Sequence, residues 1–266
     1  MAKLEKSKLF NAGKAEAAAD IALINQYSVK ELKPEEVYCF SVILCDNDID
    51  RDGERFTNAA LDELAKLFAG KTGIMDHRWS ATNQIARIYR TEIEKTDTVN
   101  AMGEPLRQLK GYAYMIKNEA NQPLIDAIDG GILKEVSVGC AVKKCTCSIC
   151  GESFLYNWEN SQCCCKNGHE KGAEYNGKIC AGNLEEPTDA YEFSFVAVPA
   201  QKGAGVTKSI ETLDEALDIL LSADLSKHIN KVRRLVPHIK TALTDAEERS
   251  AREKILRENE KFRRKD

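Results

Sequence analysis

No apolar run in the chain approaches the ~20 residues that a membrane-crossing helix needs, and the first residues lack the apolar core of a secretory signal. Together these absences lead to the expectation of a protein that acts inside a cell. Neither sign of charge is in excess: 38 Lys and Arg stand against 42 Asp and Glu, a net charge of -4. That balance speaks against a broadly basic nucleic-acid binder. Histidine is scarce, with four in 266 residues, so few side chains can act as a base near neutral pH. The length itself allows one large domain or two smaller ones with a real core.

Cysteine, by contrast, is abundant and unevenly placed. Of ten, seven fall from Cys145 to Cys180, while Cys39, Cys45 and Cys140 sit in apolar strand-like contexts as small buried hydrophobes. Clustering around a Cys-x-x-Cys in a reducing compartment points to metal rather than disulfides. Cys147-Ser148-Ile149-Cys150-Gly151 has the form of a knuckle. Thirteen residues after Cys150 come Cys163, Cys164 and Cys165, then His169. Zinc takes four N/S ligands, and Cys147, Cys150, Cys165 and His169 supply them. Cys164 can replace Cys165 in this reading, and Cys145, Cys163 or Cys180 can enter elsewhere. Four protein ligands close the shell, so the expected Zn2+ is structural.

Along the chain, residues 1–33 are expected to form a flexible arm. A first strand is predicted from Val37 to Leu44. The acidic stretch that follows has Asp48, Asp50, Asp52 and Gly53 where an EF-hand loop begins. Its twelfth position is Ala59, however, so a polar turn is the reading. Thr57 caps a helix running to Phe68, ended by Gly70. Strands are expected at about 84–94 and 108–116, and a short helix at roughly 121–129 before Gly130-Gly131. A cysteine-rich insert occupies 143–185, and a last strand runs from Tyr191 to Val198. The fold class is therefore α+β and β-rich. From Lys208 the character changes to a helical, charged C-terminal tail, opened by the capping boxes Thr212–Glu215 and Thr244–Glu247.

One strand is chemically distinctive. In Glu135-Val136-Ser137-Val138-Gly139-Cys140-Ala141-Val142, alternation sends Val136, Val138, Cys140 and Val142 to one face and Ser137 with small neighbours to the other. A serine nucleophile needs a base, an orienter for that base and oxyanion donors. His77 is the histidine available to the β-rich domain, since the metal cluster claims His169 and the tail holds His228 and His238. Glu192 and Asp76 compete to orient it, and Glu135 shares the face of Ser137. Ser194 is a rival nucleophile crowded by Phe193 and Phe195, whereas Gly139 gives Ser137 clearance.

The ordered set Asp76-His77-Arg78-Trp79-Ser80, Asn83-Gln84-Ile85-Ala86-Arg87-Ile88, Glu135-Val136-Ser137-Val138-Gly139 and Glu192-Phe193-Ser194-Phe195-Val196-Ala197-Val198-Pro199-Ala200 resembles the prohead (capsid-maturation) serine proteases of tailed bacteriophages, over about residues 37–208. That family is related in fold to the herpesvirus assemblins, so the resemblance implies an assemblin-like β-barrel surrounded by short helices. It also implies a protease domain at 34–207 that digests scaffold and the major capsid protein precursor, then itself, inside the prohead in the bacterial host cytoplasm. By position His77 matches the family's histidine, Ser137 its nucleophile and Glu192 its acidic residue. Assemblins use a second histidine as third member, and none is spare here. No membrane partner is implied, and self-association into a homo-oligomer is left open. Two other readings remain: a non-catalytic module binding protein or nucleic acid through the zinc loop, and a structural capsid-assembly protein. The Lys residues of the insert are nearly offset by its Glu residues, which counts against phosphate binding.

Overall fold

In the computed structural model, residues 20–157 and 162–207 are described. The expected charged tail, Cys163, Trp158 and residues 1–19 lie outside them, or have side chains outside them. Leu23–Lys208 gathers into one unit. Its packed part starts before residue 34, because Ile24 and Leu32 are buried and the Asn25 side chain bonds both backbone groups of Leu32.

Strand β1 (Val37–Asp46) is nearly all buried, as its run of Val, Phe, Ile and Leu dictates. The acidic stretch after it folds as a polar turn. Asp46 Oδ1 accepts from Asp48 N, and Asp50 Oδ1 accepts from Asp52 N and Glu54 N. The carboxylates are thus spent on local backbone donors. Strand β2 (Glu54–Phe56) follows, then helix α1 (Asn58–Phe68). Thr57 caps it as expected, its hydroxyl accepting from Ala60 N at 3.2 Å. Ala60, Leu61, Leu64 and Phe68 form its buried stripe. Each large apolar side chain there contributes about 1.5–3 kcal/mol, and the cap about 1 kcal/mol.

Strands β3 (Thr72–Met75), β4 (Ala86–Val99) and β5 (Pro105–Ile116) come next, with β4 and β5 forming a hairpin longer than the sequence suggested. The polar connection is only 100–104, held by Asn100 Oδ1, which accepts from Met102 N and Glu104 N. Helix α2 (Gln122–Asp129) buries Ile125 and Ile128 and delivers the chain into β6 (Val136–Cys147). Small hairpins β7–β8 (Phe154–Asn157, Gln162–Cys165) and β9–β10 (Glu174–Tyr175, Lys178–Ile179) precede β11 (Gly182–Phe195) and β12 (Gly205–Thr207).

The main sheet has eight strands in the order β12-β1-β5-β4-β3-β11-β2, with β6 on the other edge of β11. Strand β11 begins nine residues before the expected Tyr191, because its first half continues an antiparallel ladder with β6 from Gly182↔Cys147 to Phe195↔Val136. Its other edge pairs in parallel with β2 at 182–184 and with β3 at 192–195. The insert proper is thus 148–181, not 143–185, since the flanking residues are ladder.

The expected closed barrel is not formed. Strand β12 reaches the chain just ahead of β6 through one bridge, Glu135↔Gly205, with Val206 N donating to Lys134 O at 2.7 Å. Three residues are too short a β12 to extend that contact into a ladder along β6. The result is a β-rich α+β fold with an open sheet.

Candidate functional site

Residues facing each other across a ladder project to the same side. On one face of the sheet, Ser137 and Gly139 of β6 stand opposite Ser194 and Glu192 of β11, which stand opposite Ile74 and Thr72 of β3. The other face carries Val136, Phe193 and Phe195 into the core.

Just past β3 the backbone turns sharply. Asp76 and His77 both take left-handed conformations, with φ of 54° and 52°. For non-glycine residues these cost roughly 1–2 kcal/mol each and persist only where surroundings hold them. Here they are held: Asp76 N donates to Phe195 O at 3.0 Å, His77 N to Ser194 Oγ at 3.0 Å, and Arg78 N to Met75 O at 3.1 Å. Asn83 Nδ2 ties the loop from its far end, donating to Met75 O and Arg78 O. Asp76, the sequence neighbour that competes with Glu192 to orient the imidazole, would be poorly placed for it on an extended chain. The chain is not extended there, yet the imidazole is held elsewhere.

His77 Nδ1 lies 2.8 Å from Glu192 Oε1. Glu192 is buried, its side chain 3% exposed against 42% for His77. Its second oxygen accepts from the Ser194 hydroxyl at 2.8 Å. Ser194 therefore closes a small ring: it accepts from the His77 backbone and donates to the carboxylate that holds the His77 ring. It is fully buried, with its hydroxyl both accepting and donating inside that ring. In the tautomer whose Nδ1–H donates to Glu192, Nε2 is the ring nitrogen that keeps its lone pair.

Ser137 is half-buried on the neighbouring strand, in register with Ser194 and outside this hydrogen-bonded ring. Glu135 is engaged through its backbone, accepting from Val196 N, and no hydrogen bond to His77 is among its contacts. Gly139 has a use the sequence reading assigned differently. A Cβ there would lie 2.5 Å from Glu192 Oε1, so the missing side chain makes room for the carboxylate rather than for Ser137. Cys140, also near, has its thiol pushed up to about 11 by burial and then by the charge of Glu192.

At the opposite end of the β6–β11 ladder, Cys147, Cys150, Cys165 and His169 bring one donor atom each within 4.8 Å of one another and could hold a metal ion. Three of its edges run 3.4–3.6 Å: Cys165 Sγ to His169 Nδ1 3.4 Å, Cys147 Sγ to the same nitrogen 3.6 Å, Cys150 Sγ to Cys165 Sγ 3.6 Å. Two tight turns shape it. Ile149 N points at Cys147 Sγ and His169 N at Cys165 Sγ, at 3.4 and 3.3 Å. Gly151 and Gly168 then reverse the chain with φ of 77° and 76°. Cys150 is drawn down to about 6 by the Glu152 backbone N–H, with His169 and Cys165 adding to it.

These are the four residues the spacing named. Cys180 is a fifth thiol, fully buried, 3.6 Å from Cys147 Sγ but outside the four-donor group. Burial and the neighbouring Cys147 push it up to about 12. Ser137 and Cys147 are ten ladder positions apart, about 34 Å at the usual rise per residue. The metal group and the His77 site therefore do not touch. The acidic turn at 46–53 is not a second such group among the described residues.

No helix among the described residues is long and apolar enough to cross a membrane. No protein-family profile matches the chain, and no curated protein matches it.

Proposed function

We propose that the chain is a serine endopeptidase of phage head maturation, with Ser137 as nucleophile, His77 as general base and acid, and Glu192 orienting His77. The observation that carries the reading is the His77 Nδ1–Glu192 Oε1 contact of 2.8 Å, on the sheet face that also carries Ser137 one strand away. A buried carboxylate on Nδ1 fixes the tautomer and stabilises the imidazolium, which is the use a proton-transferring histidine makes of such a partner. The resemblance of the ordered motifs to prohead proteases supports the choice of substrate: scaffold, major capsid protein precursor and the chain itself, within the prohead.

In this mechanism Ser137 Oγ attacks the scissile carbonyl as His77 Nε2 takes its proton. His77 then protonates the leaving amine, and water enters by the same route to release the acyl group. The chemistry requires Ser137 Oγ and His77 Nε2 to meet within hydrogen-bond reach when peptide is bound. The four-donor group fits a structural Zn2+: thiolate and imidazole donors within 4.8 Å of one another, and four protein ligands, which leave no open position. It would pin the tip of the insert and take no part in bond cleavage.

The separation of the metal group from His77 favours a second reading, a non-catalytic zinc module whose insert binds a partner. Intact mass after expression, for wild type and Ser137→Ala together, separates the two. Loss of terminal segments in wild type alone supports the protease. If both chains stay whole even with capsid precursor present, the enzyme reading is wrong and the module takes its place.

A further inference from the structure

Beside the His77–Glu192 pair lies a cleft of about 260 Å³. The buried Ile74 and Glu192 form its inner side, with Thr72 and Ala81 beside them. The rings of Trp79 and Tyr191 stand at its mouth, 5.3 Å apart and tilted by 59°, exposed by 72% and 41%. Two irregularities in the backbone bring those rings together. Ladder register slips between Ala190 and Glu192, leaving Tyr191 as the extra residue of a bulge, which re-aims its side chain off the alternating pattern. Trp79 follows the left-handed pair Asp76–His77 by two residues. Two exposed aromatic rings in one place, beside a candidate proton-transfer pair, form a surface built for contact rather than for the core.

Resting on the protease reading, we infer that this cleft is a specificity pocket for a large uncharged apolar side chain, aliphatic or aromatic, of the peptide substrate. Position supports it: Thr72, Ile74 and Glu192 share a sheet face with Ser137, and Ile74 is two strands away, about 10 Å. An extended peptide spans that distance in about three residues, so the pocket receives a side chain flanking the scissile bond. Chemistry sets the class. Glu192 is the one charged group lining the cleft, and each of its oxygens already accepts a hydrogen bond, from His77 and Ser194. Its charge repels an acidic side chain, and a lysine or arginine that reached it would compete with His77 and Ser194 for oxygens that already accept from both. The Thr72 hydroxyl is turned to the Ala86 carbonyl at 3.3 Å. Ser80 and Gln84 also line the cleft, with Ser80 Oγ on Thr82 Oγ1 at 3.0 Å and Gln84 Nε2 on the Ala81 carbonyl at 3.5 Å, so the ring faces and the Ile74 side chain are its main apolar surface for a ligand.

The chain has two tryptophans, so Trp158→Phe leaves Trp79 as the sole indole fluorophore. The full-length Ser137→Ala/Trp158→Phe protein is titrated with N-acetylated, amidated pentapeptides bearing Leu, Phe, Ala, Lys or Asp at the central position. Saturable shifts in Trp79 emission are expected with Leu and Phe, at least tenfold weaker with Ala, and absent with Asp and Lys. In cleavage by the otherwise wild-type chain, the ratio of kcat/KM for Leu over Ala peptides is expected to fall tenfold or more in Trp79→Ala, and likewise in Tyr191→Ala. Charged peptides that bind as well as apolar ones, or a ratio unmoved in both variants, would overturn the pocket. Saturable apolar binding without any cleavage removes the protease reading and leaves the pocket standing. Cleavage with an unmoved ratio does the reverse.

Discussion

Gly139 stands directly opposite Glu192 across the β6–β11 ladder, and a methyl group placed there would fall 2.5 Å from Glu192 Oε1. That oxygen is the one His77 Nδ1 contacts. Gly139→Ala must therefore push the carboxylate off the imidazole or bend the strand. An overpacking cost of about 1–3 kcal/mol is expected, seen as a lower Tm. On the protease reading, proteolytic activity should fall as well, because the displaced carboxylate is the group proposed to orient His77. A melting curve with a peptide cleavage assay checks both.

Ser194→Ala is expected to destabilise by about 1–3 kcal/mol, because it leaves the His77 N–H and Glu192 Oε2 without their partner in a buried setting. The left-handed turn at Asp76–His77 loses one of its ties at the same time. Nitrogen-15 NMR of the His77 ring should report a wider spread of tautomers than in wild type. An unchanged tautomer with normal Tm would mean the ring of hydrogen bonds contributes nothing.

Much of this was legible beforehand because it depends on local chemistry. Thr57 announced a cap, the alternation around Ser137 announced a strand, and the spacing Cys147-x2-Cys150 with Cys165-x3-His169 named the four donors. Glu192 as partner of His77 was one of three candidates. The role of Ser194 was hidden, although its position two residues from Glu192 on one strand was a usable signal for a shared face. What could not be read was long-range register. Nothing local says that β11 pairs with β6 on one edge and with both β2 and β3 on the other, or that a bulge at Tyr191 turns its ring outward. The closed barrel was inherited from the resemblance, and the short β12 leaves it open.

The raised thiol of Cys140 gives a pH signature. A group protonated more tightly in the folded chain, about 11 against an ordinary value near 8.5, stabilises fully below the unfolded value. That contribution is lost as pH rises toward the folded one. Stability should thus decline between about pH 8.5 and 11, and Cys140→Ala should flatten that part of the decline. Chemical denaturation at pH 7.5, 9 and 10.5 measures it; equal slopes in both proteins would contradict the assignment.

For the metal group, one Zn2+ per chain is expected, lost on Cys150→Ser or His169→Ala. Cys180→Ala should retain the one-to-one stoichiometry and lower affinity roughly tenfold to hundredfold, as removal of a supporting contact to a ligand does. Competition with a chromophoric chelator reads both. Chelation should lower the thermal stability of the insert while leaving the NMR signature of the His77–Glu192 contact unchanged, since about 34 Å of ladder separates them.

The turns of the insert leave and rejoin the sheet at one matched pair, Cys147 and Gly182. What is carried between those two residues enters and leaves through a pair about 5 Å wide and is tied once more to the sheet by Lys171, whose ammonium pairs with Glu54 of β2. Its length, charge and cargo can be exchanged without re-registering any other strand. A lineage could drop, enlarge or replace this appendage while keeping the sheet beneath, and an engineer could graft a tag or a binding loop there on the same terms.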